Sequence, residues 1–382
     1  MIIHAHHSSS PVAGDTKRVI NINKNVASFL SDKIVEIEYV PFRSLLKVLR
    51  GAKFKLSKNV VKKYYVLSVE HAGVLNDIWL YIILKLIFWK YTPTYYIEEW
   101  YLPRFINSIC GFKVIKILDM HGATPEEYEY VNDSSCQRLE IQEQKSVNDA
   151  NFIICQSDEM KRHIVAKYSM DMDKIVVFRC GVDTSAFKYK DDDRKSVRRE
   201  LLIDDNSIIF VYSGGMHKWQ KIVETLRLFK KYNDLDCYSK MLVLTRDKEA
   251  LIKIIKENAL DSIMNNLIIK SVAFHDVSKY LCAADVAFLL RDNVVMNAVA
   301  SPTKLAEYMA CGLPVLSTDV ASKWVSGLGL GYIINIETLH VENIREILTD
   351  INRNDVADYA SSNLSIDWDC GNIHSFFSSL IS

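Results

Sequence analysis

The stretch Ser301-Pro302-Thr303-Lys304-Leu305-Ala306-Glu307 sets a cation and a carboxylate three residues apart behind a Ser-Pro pair. Residues three apart share a helix face, so one surface would offer an ammonium to phosphate and a carboxylate to a pair of sugar hydroxyls. Ser301 suits an N-cap, and Pro302 suits the first helical position, where a missing N–H costs nothing. A helix begun there turns free N–H groups and a positive dipole end toward the same ligand. Gly312 can take the left-handed conformation that ends a helix, and Pro314 prevents a restart. Val315–Ser317 then reads as a short buried strand.

Three more segments carry residue types that could do chemistry. Phe210–Lys221 runs from an apolar strand through Gly214-Gly215 to a helix expected near Lys218. Its glycines permit a sharp turn and close approach of the backbone to a ligand, with Lys218 and Lys221 beside them. Lys221 is favoured, one turn into the helix. Leu118-Asp119-Met120-His121-Gly122 places an imidazole at a strand end, with room left by the glycine. Ser8–Arg18 follows the first strand, and Gly14 and Asp15 are its candidates for approaching a donor. Each has a plainer alternative: solvated lysines, a structural histidine, an ordinary turn with a capping aspartate.

Such residues need strand ends to position them. Apolar strand-like runs alternate with helical ones along the whole chain, which argues for βαβ units and parallel sheets. Strands are expected near Ile2–His6, Ile34–Tyr39, Tyr65–Ser68, Tyr95–Glu98, Val114–Asp119, Phe152–Gln156 and Ile175–Phe178. A second set follows at Ile208–Ser213, Met241–Leu244, Leu267–Lys270, Val286–Leu290 and Val315–Ser317. Between the sets lies Lys188–Arg199, whose dense mixed charge reads as a linker, or as the solvated first turn of a helix. At 382 residues the chain should form two domains. Their expected bounds are 1–187, with a return helix at 366–382, and 188–365.

The segment Ser301–Val315 resembles the signature of the group 1 (family 4 type) glycosyltransferases, close to SPxKxxEYxAxGxPV. Ser157–Phe187 is similar to the passage that closes the first domain of that family, with Cys180 where asparagine is common. The resemblance implies an α/β GT-B fold: two Rossmann-like, doubly wound domains facing each other across a cleft, the C-terminal helix crossing back to the first. It implies transfer of a sugar, with retention, from a nucleotide-diphosphate donor (UDP is the expected nucleotide) to a growing glycan or lipid-linked saccharide. No metal or other cofactor is expected. Carried over residue by residue, His121 faces the transferred sugar, and Lys221 or Lys218 stabilises the departing diphosphate. Gly14, Asp15, Gly214, Gly215, Ser301, Pro302, Thr303, Lys304 and Glu307 bind the donor. One departure stands out. Where many members carry a second glutamate, eight residues before Glu307, this chain has Val299.

Composition narrows the alternatives. Lys+Arg and Asp+Glu both number 47, so no basic surface for nucleic acid is indicated. The eight cysteines form no CxxC pair and read as reduced thiols of a cytoplasmic protein. Asp191-Asp192-Asp193 lies in the charged run rather than in a metal-binding motif, and no G-x-G-x-x-G follows a strand, which argues against a dehydrogenase. Ile78–Trp89 is apolar but too short to span a bilayer. It reads as a core helix, or as an interfacial one meeting the inner membrane peripherally through Trp79, Phe88 and Trp89. Two other functions keep the same architecture: a nucleotide-sugar 2-epimerase, for which no acid/base carboxylate pair is evident, and a non-catalytic partner subunit, which the Val299 departure keeps open.

Overall fold

The computed structural model describes residues 2–7, 22–23, 34–41, 60–68, 73–90, 94–99, 114–301, 303–318, 320, 332–367 and 370–381. Gly14, Asp15 and Pro302 lie outside the described residues. The chain divides into two compact units. Unit 1 comprises Met1–Cys180 with Asp369–Ser382, and unit 2 comprises Gly181–Trp368.

In unit 1 the strands are β1 (Ile2–His7), β2 (Ile34–Pro41), β3 (Val60–Ser68), β4 (Tyr95–Glu99), β5 (Ile115–Asp119), β6 (Phe152–Cys155) and β7 (Ile175–Val177). They form one sheet in the order β3-β2-β1-β4-β5-β6-β7, and every pairing is parallel. The C-terminal helix Cys370–Ile381 belongs to this unit, as the expected return requires. Phe377 meets Tyr95 edge-on with centroids 5.8 Å apart, and Phe376 meets Phe152 at 5.4 Å. Such edge-to-face pairs add to the burial of four rings.

Unit 2 holds β8 (Ile209–Ser213), β9 (Lys240–Leu244), β10 (Leu267–Lys270), β11 (Val286–Leu289), β12 (Val315–Ser317) and β13 (Ile333–Asn335). The order is β10-β9-β8-β11-β12-β13, again parallel throughout. A parallel sheet is covered on both faces, so its strands are apolar at every position. Accordingly Ile209, Phe210, Val211 and Tyr212 are all buried, odd positions in one core and even positions in the other.

The charged run Lys188–Arg199 is not a linker. Asp191–Glu200 is a helix of unit 2, with three aspartates in its first turn and Arg198 and Arg199 in its last, the arrangement the helix dipole favours. Its underside is cationic and buried. Arg198, only 3% exposed, donates to the carbonyls of Ala283, Asp204 and Ser207. Arg194 pairs with Asp285 at 2.6 Å, and Asp285 accepts the Ile209 N–H at 2.7 Å. The dense charge buries itself because each guanidinium meets several backbone carbonyls at once.

Unit 1 contains a second buried charge cluster. Glu126, in the first turn of the helix Thr124–Tyr130, accepts from Lys167 at 2.7 Å and His163 at 3.0 Å. Glu143 is fully buried and accepts the Tyr168 hydroxyl at 2.6 Å. Burial pushes Glu143 up from 4.5 to about 7, with Tyr168 and Lys167 opposing it only in part. Burial also opposes ionisation of Glu126, but the hydrogen bonds from His163 and Lys167 outweigh it and hold that carboxyl down at about 2. The signs differ. Glu126 contributes stability above its unfolded value that is lost as pH falls toward 2. Glu143 favours folding while protonated, and that contribution disappears as pH rises from 4.5 through 7. Glu143→Gln should therefore stabilise the protein relative to wild type at about pH 8, by up to roughly 3 kcal/mol, and by far less at about pH 5. Thermal unfolding at both pH values checks this, and an equal effect at the two would refute it.

Candidate functional site

In unit 2 the strand order reverses between β8 and β11, and ligands of doubly wound sheets sit at the carboxyl ends of strands where the order reverses. Three pieces of chain emerge at that edge: the turn after β8, the loop after β11, and the start of the helix Thr303–Ala310. Helix and strand are joined by a tyrosine, since Tyr308, fully buried, accepts the Ser213 N–H at its hydroxyl at 2.9 Å. Gly312 has φ +72, the left-handed end expected of it, and a Cβ there would lie 2.8 Å from the Arg353 carbonyl. Ser301 is buried two residues ahead of Thr303, where the helix begins.

Gly214 shows why the turn needs glycine. Its φ is +154, and a Cβ would fall 2.0 Å from Lys304 Nζ. The bare backbone at this position leaves room for the ammonium, which donates to Gln220 Oε1 at 3.2 Å and lies 5.6 Å from the Tyr212 ring centroid. Gly215 is next in the turn, and its carbonyl accepts the Tyr212 hydroxyl at 2.6 Å. Among the described residues no carboxylate lies within ion-pair distance of Lys304. Burial lowers the lysine from 10.5 to about 7, the Arg291 guanidinium pushes it the same way, and Glu307 on its own helix acts in the opposite sense. Arg291 follows β11 and has its own charge disfavoured by burial. It likewise has no ion-pair partner among the described residues. Two cations thus lie near one glycine turn, and among the described residues neither forms an ion pair, although Glu307 acts on Lys304 and Asp247 Oδ2 would lie 3.3 Å from a Cβ at Gly215. An anion would relieve their repulsion.

The two lysines after the turn are placed differently from Lys304. The helix expected near Lys218 starts at Ile222, and Lys218–Gln220 is a single tighter turn. Lys221 joins the two at φ +49. Its ammonium is bound to Asp292 at 2.8 Å and lies 3.8 Å from Glu224, which raises its pKa. Lys218 is exposed, and beside it His217 stacks on Trp219 with centroids 4.4 Å apart. Glu307 is half-buried on the same helix as Lys304. Val299, in the place of the second family glutamate, is 3% exposed and part of the apolar interior.

Sequence reasoning missed Gln220 and Tyr212. A lone glutamine has no spacing signature, and its value here comes from a contact made across more than eighty residues. The signal available for Arg291 was its place directly after a buried strand.

In unit 1, His121 follows β5, and its Nε2 lies 2.7 Å from Asp119 Oδ2. Asp119 is fully buried and His121 side-chain exposure is 11%. A buried carboxylate of this kind fixes the tautomer and ring orientation of an imidazole. The gap at Gly122 is taken by Glu127, whose Oε1 would lie 3.2 Å from a Cβ there. His4 in β1 is also buried, and its Nδ1 lies 2.7 Å from Asn23 Oδ1, with Asn23 donating to Glu36 at 2.7 Å. Burial lowers the His4 pKa, so this ring is a neutral member of a polar chain in the core.

No family model matches the chain. A D-inositol 3-phosphate glycosyltransferase of Pseudarthrobacter chlorophenolicus is 25% identical over 229 residues, which are 58% of this chain and 50% of that one. The chain therefore matches half the length of that relative. Among solved structures, sucrose-phosphate synthase from Thermosynechococcus elongatus superposes with a TM-score of 0.74 at 12% identity, covering 100% of this chain and 99% of the other. HepE of Anabaena, solved in complex with UDP, gives 0.70 at 11% identity, covering 100% and 99%. At such identities the structural likeness speaks for architecture, and it extends over essentially the entire chain. The protein has the two-unit GT-B fold, and its sequence resembles that of the group 1 glycosyltransferases.

Proposed function

We propose that the chain is a glycosyltransferase that moves a sugar from a nucleotide-diphosphate donor, with UDP as the nucleotide, to a growing glycan or lipid-linked saccharide. The observation that carries this reading is the pair of cations, Lys304 and Arg291, at the switch point of unit 2 beside the amide-rich start of Thr303–Ala310. A diphosphate is the ligand such a corner favours, since it supplies the missing anion to two cations and to free N–H groups together. Glu307, one turn further along, is within reach of the ribose hydroxyls of the same nucleotide. HepE, bound to UDP, has the same fold, which is consistent with that choice.

In this reading bond cleavage leaves negative charge on the diphosphate, and Lys304 and Arg291 meet it without a resident metal. Lys221 and Lys218 serve as further cations; Lys221 would have to exchange Asp292 for phosphate. Ser301, Thr303, Gly214 and Gly215 supply backbone approach, and Gly14, Asp15 and Pro302 keep the donor-binding role assigned from the family resemblance. Unit 1 contributes His121, oriented by Asp119, to the sugar-transfer chemistry, which proceeds with retention. Isothermal melts with UDP, GDP, ADP and CMP test the assignment. UDP at about a hundred times its dissociation constant should stabilise unit 2 by roughly 2.7 kcal/mol, and Glu307→Ala should abolish most of that gain. Equal responses to all four, or an unaltered response in the variant, would contradict it.

The acceptor side is proposed to work at the cytoplasmic face of a membrane. No described helix is long and apolar enough to cross one. The helix Gly73–Lys90 buries Ile83, Leu84 and Ile87 but leaves Ile78, Ile82, Leu86 and Trp89 exposed, the last at 88%. Their spacing of four, four and three marks a single face, and Lys85 and Lys90 are exposed beside it. Apolar residues with flanking lysines suit an anionic lipid surface. The protein should co-float with vesicles containing phosphatidylglycerol and lose that association when Ile82 and Trp89 are both changed to serine. Flotation independent of these residues would count against the contact.

A further inference from the structure

Gln220 has a neutral amide where a carboxylate would seem the better partner. Its Oε1 accepts from Lys304 Nζ at 3.2 Å and faces the Tyr212 hydroxyl, whose single proton is divided between this oxygen and the Gly215 carbonyl at 2.6 Å. The same oxygen would lie 3.1 Å from a Cβ at Gly214, so amide and ammonium share the space above the turn. Tyr212 is buried in the sheet core, with only its hydroxyl reaching the site. The amide is thus fixed from one side and holds the ammonium on the other.

Two competing arrangements show what the amide accomplishes. Lys221, nine residues from Tyr212 in the same turn region, is paired with Asp292 and so presents little net charge to a ligand. Lys304 would fare the same if a carboxylate stood at position 220. With nothing at 220, the ammonium could turn toward Glu307, three residues along its own helix and already felt electrostatically. That would neutralise the cation. A neutral acceptor avoids both outcomes: it supplies a hydrogen bond and adds no negative charge, so the ammonium is left for an incoming anion to stabilise. The charged and titratable groups around Lys304 are Arg291 from the loop after β11, Tyr212 from β8, and Glu307 from its own helix.

We propose that Gln220, braced by Tyr212, is the positioning residue that holds the Lys304 ammonium over Gly214, unpaired and apart from Glu307, for an incoming diphosphate. This rests on the reading of that corner as the diphosphate seat. The test measures binding of inorganic pyrophosphate, UDP and uridine to the full chain by calorimetry between about pH 5 and pH 9, for wild type, Gln220→Ala and Gln220→Glu. Gln220→Glu should weaken pyrophosphate and UDP by at least about tenfold across this range, because a carboxylate beside two cations stays ionised down to about pH 5 and pairs with the ammonium. Gln220→Ala should weaken them by roughly threefold or more at every pH, since it removes a hydrogen bond without adding a charge. Uridine, which has no phosphate, should bind all three proteins alike. Variants that bind pyrophosphate as wild type does would overturn the proposal, and so would a loss that affects uridine equally. Wild type that binds neither pyrophosphate nor any nucleotide would instead refute the diphosphate seat itself, an outcome read without the variants.

Discussion

Repulsion between two like charges in a confined space organises this molecule. Lys304 and Arg291 are brought together by a helix start and a strand end, and among the described residues neither has a carboxylate at ion-pair distance. Ordinary folded interiors avoid such an arrangement, because burial penalises each charge and proximity penalises the pair. Elsewhere this chain takes care to neutralise its buried cations. Arg194 and Arg198 meet Asp285, and Lys167 meets Glu126.

The rest of unit 2 can be understood as support for that arrangement. The parallel sheet buries both of its faces, which makes β8 and β11 rigid and aims their ends at one point. Tyr308 ties the helix to the Ser213 amide, so the signature helix cannot drift from the glycine turn. The helix Asp191–Glu200 secures Asp285, which in turn holds the first amide of β8. Gly214 takes its φ of +154 without strain because it has no Cβ, and the packing around it fixes the turn.

Much of this was legible in the sequence. Runs of β-branched and aromatic residues between helical stretches located twelve of the strands, because parallel strands are apolar on both faces and leave a dense signal. β13 escaped notice, being three residues long, partly exposed, and set after a region with little periodicity. The helix of the signature was bracketed by Pro302 and Gly312, residues whose backbone demands are local and therefore readable. Lys188–Arg199 reads from sequence as a linker or as the solvated first turn of a helix; the helix is there, and its buried arginines are not legible because they depend on partners distant in sequence, such as Asp285. The same limit applied to the two lysines after the turn. Spacing suggested Lys221 as a cation for the ligand, and only the fold brings Asp292 to it. Gln220 had no local mark at all.

The account stands or falls on what occupies the corner between Gly214 and the first amides of Thr303–Ala310. A crystal of the protein grown with UDP would decide this most directly. The diphosphate should lie against the Gly214 backbone, within hydrogen-bond reach of Lys304 Nζ, with the ribose turned toward Glu307. A nucleotide bound elsewhere, with Lys304 still resting on Gln220 and the corner unvisited, would contradict it.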